Sequence, residues 1–177
     1  YLANGTTAQQ WRLDKLNDPI SRFDDAADAT RGLVKDGIYE IEPIAAPGKR
    51  LDVQWASQDA GARVWLYSAN GSSAQKWRVS HDAQGYVILT NVGSGKVLDV
   101  YGARKAFGTK VTQQPANGTH AQKWMVVETD NGDLAIASAV APLLFLDLEG
   151  GRNTDGTPLQ TYGYNGSKAQ RFRFIKQ

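Results

Sequence analysis

The 177-residue chain contains no cysteine, which excludes both disulfides and thiolate chemistry. Histidine is nearly missing as well. His81 and His120 are the whole complement, leaving no Ser-His-Asp arrangement and no metal-ligand cluster. An excess of charge of either sign is also lacking. Twenty Lys and Arg face eighteen Asp and Glu, and a net charge of +2 is too balanced to attract nucleic acid or an anionic membrane. No apolar run approaches the roughly 18 residues of a membrane span, and no signal peptide is visible. The acidic run Asp24, Asp25 and Asp28 lacks the glycine and spacing of a calcium loop. Gly93-Ser94-Gly95-Lys96 lacks the four-residue gap and the Lys-Ser/Thr of a phosphate loop.

What is present is repetition. "YSANGSSAQKW" (67–77) has near-copies at 1–11, 114–124 and 162–172. Self-similarity of this kind decides architecture ahead of local propensity. The Leu-Asp-Val type triplets put Asp52, Asp99 and Asp147 at intervals of 47 and 48 residues. A glycine follows each aspartate by nine residues (Gly61, Gly108, Gly156), an Asn-Gly pair by eighteen (Asn70, Asn117, Asn165) and a glutamine by 23 (Gln75, Gln122, Gln170). Four landmarks in register define three units, 36–82, 83–130 and 131–177.

Within a unit the pattern is that of short strands. Val64 and Leu66 alternate with Trp65 and Tyr67, a period of two. The same alternation points Leu51 and Val53 inward and Asp52 outward. Asn-Gly favours a tight turn because both residues tolerate positive φ. The turn also explains the recurring Asn-Gly-Ser/Thr triplets without glycosylation. Each unit then closes on a strand with its aromatic, Trp77 in the first, facing inward. Residues 1–13 match only the last third of a unit and read as the C-terminal stub of a preceding one. Residues 14–35 repeat nowhere and read as a linker. Asp18-Pro19 suits the start of a short helix there, with Ile20, Phe23 and Ala27 on one face. Because Tyr1 already lies inside a repeat, the sequence is expected to be a piece of a longer protein.

The closing motifs Gln75-Lys76-Trp77, Gln122-Lys123-Trp124 and Gln170-Arg171-Phe172, in phase with the aspartates, resemble the ricin B-type lectin family over 36–177 and the stub. The resemblance implies an all-β fold, a β-trefoil of twelve strands around a pseudo-threefold axis, with Trp77, Trp124 and Phe172 as inward aromatics. It implies no cofactor and no metal. Two departures stand out. Plant members carry a disulfide in each unit, whereas this cysteine-free form is similar to secreted or surface-attached proteins of Gram-positive bacteria. The family also often places Asn immediately before the signature glutamine, where this chain has Ala74, Ala121 and Ala169.

A neutral sugar offers an apolar C–H face to an aromatic ring and vicinal hydroxyls to a carboxylate, with amides completing the hydrogen bonds. In the family resembled, the strand aspartate and the aromatic fifteen residues on face each other across a shallow pocket. The first unit supplies Asp52, Trp65, Tyr67 and Asn70, and the third supplies Asp147, Gln160, Tyr162 and Asn165. The second supplies Asp99 and Asn117, but Gln114 stands where the ring should be, so its site is expected to be weak. Trp55, whose counterparts are Gly102 and Gly150, is a candidate rim contact. The glutamines are expected to brace the aspartates from behind.

These residues point to a carbohydrate-binding module with two competent sites and no enzymatic activity. Its partners would be galactose- or N-acetylgalactosamine-type glycans or a plant polysaccharide. It would belong to an extracellular, bacterial parent protein carrying a tandem trefoil and a linked catalytic domain. The alternative is a trefoil used for protein interaction, as adhesin or inhibitor, with degenerate sugar pockets. The three alanines before the glutamines favour it.

Overall fold

The computed structural model describes residues 32–177. The stub at 1–13 and most of the 14–35 segment, including its expected helix, lie outside the described residues. Where the segment enters the domain it is tied down: Val34 is buried in the core, and Tyr39 Oη donates to the Lys35 carbonyl at 2.9 Å.

Twelve strands follow in the described residues. The first unit holds β1 (Gly37–Pro43), β2 (Lys49–Val53), β3 (Val64–Ser68) and β4 (Lys76–His81). The second holds β5 (Val87–Asn91), β6 (Val97–Val100), β7 (Thr109–Gln114) and β8 (Trp124–Glu128). The third holds β9 (Leu134–Ser138), β10 (Leu144–Leu148), β11 (Leu159–Gly163) and β12 (Phe172–Lys176). The first and fourth strands of the units close a six-stranded antiparallel barrel in the order β1-β4-β5-β8-β9-β12, with β12 returning to β1. Closure removes the exposed edges that an open sheet of this kind would present. The second and third strands form the hairpins β2–β3, β6–β7 and β10–β11. The hairpins meet one another in a ring, at Arg63↔Thr112, Thr109↔Thr161 and Trp65↔Pro158. The architecture is a β-trefoil.

The closing aromatics Trp77, Trp124 and Phe172 are completely buried. Each indole also satisfies a hairpin carbonyl: Trp77 Nε1 donates to Leu51 O at 3.1 Å and Trp124 Nε1 to Leu98 O at 3.2 Å. Phe172 keeps the ring and gives up that bond. The landmark glycines stitch the units together. Gly61 N–H donates to Gln113 O, Gly108 N–H to Thr161 O and Gly156 N–H to Leu66 O, at 2.7, 2.8 and 2.8 Å. In each case the acceptor is the same strand position of a neighbouring unit. The glycines make this approach at φ of +83°, +78° and +85°, a conformation L side chains avoid.

Candidate functional site

Each hairpin's first strand ends in a short left-handed reversal that forms one lip of a dimple. The reversals are Gln54–Ala56, Tyr101–Ala103 and Glu149–Gly151. Their central residues sit at φ of 59° (Trp55), 63° (Gly102) and 65° (Gly150). Glycine meets this demand freely, whereas Trp55 carries a cost of about 1–2 kcal/mol. The opposite lip is the Asn-Gly turn. Its asparagine side chains fold it: Asn70, Asn117 and Asn165 Oδ1 accept from the backbone N–H of Ser72, Thr119 and Ser167 at 2.9, 3.0 and 2.9 Å.

The signature glutamines hold that turn to the hairpin. Gln75, Gln122 and Gln170 Oε1 accept from the N–H of Asn70, Asn117 and Asn165. Their Nε2 atoms donate to the carbonyls of Ser68, Pro115 and Gly163. Each glutamine also hydrogen-bonds the aspartate of its own unit: Gln75 to Asp52, Gln122 to Asp99 (Oδ2, at 3.1 Å) and Gln170 to Asp147. The glutamines therefore act on both the turn and the carboxylates.

The aspartates differ from expectation in burial. Asp52, Asp99 and Asp147 are only 6, 5 and 5% exposed. They leave the core face of the hairpin, as the alternation requires, but the lips and the paired strand cover that second face. In the first unit Asp52 sits opposite Trp65 in the β2–β3 register, and Trp65 Nε1 donates to Asp52 Oδ1 at 2.8 Å. In the third unit Gln160 Nε2 donates to Asp147 Oδ1, also at 2.8 Å. Burial raises the pKa of all three aspartates above the usual 3.8. In the first unit the Trp65 hydrogen bond and the Gln75 amide oppose this rise, and the negative charge of Asp155 adds to it. In the third unit Gln160 and Gln170 oppose it and Glu149 adds to it.

The first dimple is an open cavity of about 270 Å³ that brings Asp52, Trp65, Tyr67 and Asn70 together, with Trp55 on its rim. The third is larger, about 500 Å³, and unites Asp147, Gln160, Tyr162 and Asn165 with Gly150 and Lys168. Each carboxylate thus shares a cavity with the tyrosine fifteen residues further along. In the second unit the positions that hold the donor and the ring in the other two pockets carry a buried Thr112 and a half-buried Gln114, while Asn117 lies in the exposed turn. Its exposed rings are Phe107 and Tyr101; Tyr101 stands two residues past Asp99, with the Lys110 ammonium 3.9 Å from the ring centre.

Two further residues, from neighbouring units, touch the strands that carry the pocket tyrosines, and the repeat pattern does not reveal them. They stand eight residues after their own aspartates. Phe107 packs on Tyr162 with ring centres 5.1 Å apart, over Gly163, where a Cβ would come within 2.8 Å of the Phe107 ring. Asp155 accepts from Ser68 Oγ at 2.9 Å and pairs with Lys49, beside Tyr67. Trp55 was visible in the sequence as an odd residue among glycines, but its backbone conformation was not. Among the described residues no three His, Asp or Glu side chains cluster to hold a metal ion. No helix there is long and apolar enough to cross a membrane.

A threefold scaffold with an acid and an aromatic ring repeated in shallow surface dimples defines a lectin-like class of protein. The family model described as the ricin-type beta-trefoil lectin domain-like family matches residues 7–114 and 73–162. The chain belongs to that family, and its fold is one that serves carbohydrate binding. Comparison with curated proteins returns no match. Among solved structures, the designed threefold-symmetric protein ThreeFoil is 33% identical, with a TM-score of 0.76, over 80% of this chain and 100% of its own. The Rhizoctonia solani agglutinin is 25% identical with a TM-score of 0.74, over 81% of this chain and 97% of its own. An exo-β-1,3-galactanase from Clostridium thermocellum, 1,3Gal43A, is 28% identical with a TM-score of 0.74. That match covers 80% of this chain and 30% of the enzyme.

Proposed function

We propose that the chain is a non-enzymatic module that binds galactose-type or related glycans at two sites, one at Asp52 and one at Asp147. The observation that carries this reading is the pairing, in two separate cavities, of a side-chain-anchored carboxylate with an outward tyrosine. The carboxylate would accept from two vicinal hydroxyls and the phenol ring would take the C–H face, with Asn70 or Asn165 completing the hydrogen bonds. The surface around Asp99, with Gln114 and Asn117, would bind weakly for want of a facing ring. A single open site of this kind should bind at about millimolar strength, roughly −4 kcal/mol. Useful avidity would then come from two sites engaging one surface.

An extracellular, bacterial parent protein fits this role. A linked catalytic domain fits it too, since the region similar to this chain is under a third of the Clostridium thermocellum enzyme. The test is titration with galactose and N-acetylgalactosamine by two-dimensional NMR, with the wild-type chain and with Asp52→Ala combined with Asp147→Ala. Chemical-shift changes around Tyr67 and Tyr162 that vanish in the double variant are expected. Binding that survives the double substitution would overturn the reading. The second reading, a protein-interaction trefoil, is favoured by Ala74, Ala121 and Ala169, which offer no hydrogen bond where the family often has asparagine. It predicts no shift changes with any sugar.

A further inference from the structure

Trp55 is hard to explain by folding. Its backbone lies at φ 59°, ψ 22°, where the second and third units have Gly102 and Gly150. A bulky side chain is an outlier there. The residue is 77% exposed, the most open of the large apolar residues described, so burial does not offset the strain. Backbone strain that the core does not need is a pointer to function.

The ring's surroundings indicate which function. Trp55 is on the rim of the Asp52 cavity and meets Trp65 edge-on, with ring centres 4.9 Å apart and planes at 70°. Trp65 in turn lies nearly parallel to Tyr67, at 6.0 Å and 20°. Two walls therefore stand almost at right angles beside the carboxylate that Trp65 Nε1 anchors. At the third pocket the same lip carries Gly150 and leaves that side open. A Cβ there would meet only the flexible Arg152 side chain, at 3.5 Å.

We propose that Trp55 makes the first pocket selective for sugars bearing an acetamido group next to the hydroxyls held by Asp52, that is, N-acetylhexosamines. This rests on the sugar-binding reading of Asp52 and adds the residue that discriminates. A planar amide with a terminal methyl fits an aromatic corner. The methyl C–H groups face one ring and the amide plane lies along the other. A hydroxyl in the same place gains nothing from either wall and is partly desolvated by both. The third pocket, with Gly150 on that side, has no such preference.

The experiment compares galactose with N-acetylgalactosamine, and glucose with N-acetylglucosamine, by NMR titration in an Asp147→Asn background, so that only the first pocket reports. At least one N-acetyl sugar is expected to bind about three- to ten-fold tighter than its parent hexose, the range of one aromatic contact. In Trp55→Gly that ratio should fall to near one, with the N-acetyl sugar losing most. Trp55→Phe should retain part of it. Gly150→Trp, in an Asp52→Asn background, should create the preference at the third pocket. Trp55→Gly installs the residue the other two units already use, and a thermal melt checks that it folds. A wild-type first pocket that binds both members of each pair equally, or a ratio unchanged in Trp55→Gly, would overturn this inference and leave the sugar site standing. No binding of any of the four sugars would instead remove the sugar-site reading of Asp52, and this inference with it.

Discussion

The first and third pockets have the same floor and different rims. Both floors hold an aspartate whose Oδ1 accepts a side-chain N–H at 2.8 Å, from an indole in one and an amide in the other. Two unlike residues, Trp65 and Gln160, thus do one job thirteen positions after the acid. The rims diverge. The first pocket is walled by its own unit through Trp55 and bordered from the third unit by the charged Asp155. The third pocket has glycines on that lip and takes an apolar neighbour, Phe107, from the second unit. Repetition therefore fixes the acid's place in all three units and a side-chain anchor thirteen residues on in two of them, while the loops between strands, including those of the adjacent unit, set what surrounds it. Loops tolerate such changes because few core contacts depend on them.

The largest effect expected comes from breaking the shared floor. Asp52→Asn and Asp147→Asn should each silence one pocket and halve the number of bound sugars, read by titration. Stability should hold or rise. Burial raises the folded-state pKa of both acids above 3.8, so folding favours their protonated forms. What the protonated groups contribute to stability is fully present below the unfolded value and is lost as pH rises through the raised one. Ionising either buried acid costs stability. Asparagine removes the charge and keeps an oxygen for Trp65 or Gln160. A thermal melt in which either variant is several degrees less stable would assign the aspartate a folding role instead.

Much of this was legible in the chain. The units' landmarks follow from spacings in the chain, and the family resemblance those landmarks carry implies the trefoil and the facing of Asp52 with Tyr67 and Asp147 with Tyr162. Three features were not. The aspartates were expected on an open face because a period of two says only that a residue leaves the core side; it cannot say that lips will fold over the other side. The glutamines do brace the acids as expected, but their second task was not foreseen: an amide with one donor end and one acceptor end also ties two backbone groups of the turn. Phe107 escaped notice because its counterparts are Ala60 and Asp155, so nothing repeats, and its contact lies more than 50 residues away in sequence. Trp55 stood out as the one bulky residue where the other copies have Gly102 and Gly150, but its positive φ is seen only in the structure.

A smaller effect sharpens the contrast between rims. Phe107→Ala removes a half-stacked partner from Tyr162 and leaves that ring free to turn. Aromatic pairs contribute about 0.5–1.5 kcal/mol beyond burial, so sugar affinity at the third pocket should fall by roughly two- to ten-fold. The first pocket should not change, because Phe107 has no counterpart contact there. Equal loss at both pockets, followed by the shifts around Tyr67 and Tyr162, would mean that the substitution disturbs the hairpin ring and not one rim.

The smallest effect separates the pockets by charge. Sugar binding through an ionised carboxylate weakens on acidification, and it does so above pH 3.8 at both sites because both acids are raised. Part of the rise at Asp52 comes from Asp155, a residue of another unit, whereas the third pocket's corresponding charge is its own Glu149. Asp155→Asn should move the acid loss of binding at the first pocket to lower pH and leave the third where it was. The substitution also breaks the Lys49 ion pair, but that pair lies at the surface and contributes less than about 1 kcal/mol, so the fold remains. Following the two tyrosine environments in one pH titration gives each pocket's midpoint with the other as internal control. A first-pocket midpoint unmoved by Asp155→Asn would show that solvent screens the cross-unit charge, leaving the Trp55 wall and the Phe107 neighbour as the only rim differences that binding can sense.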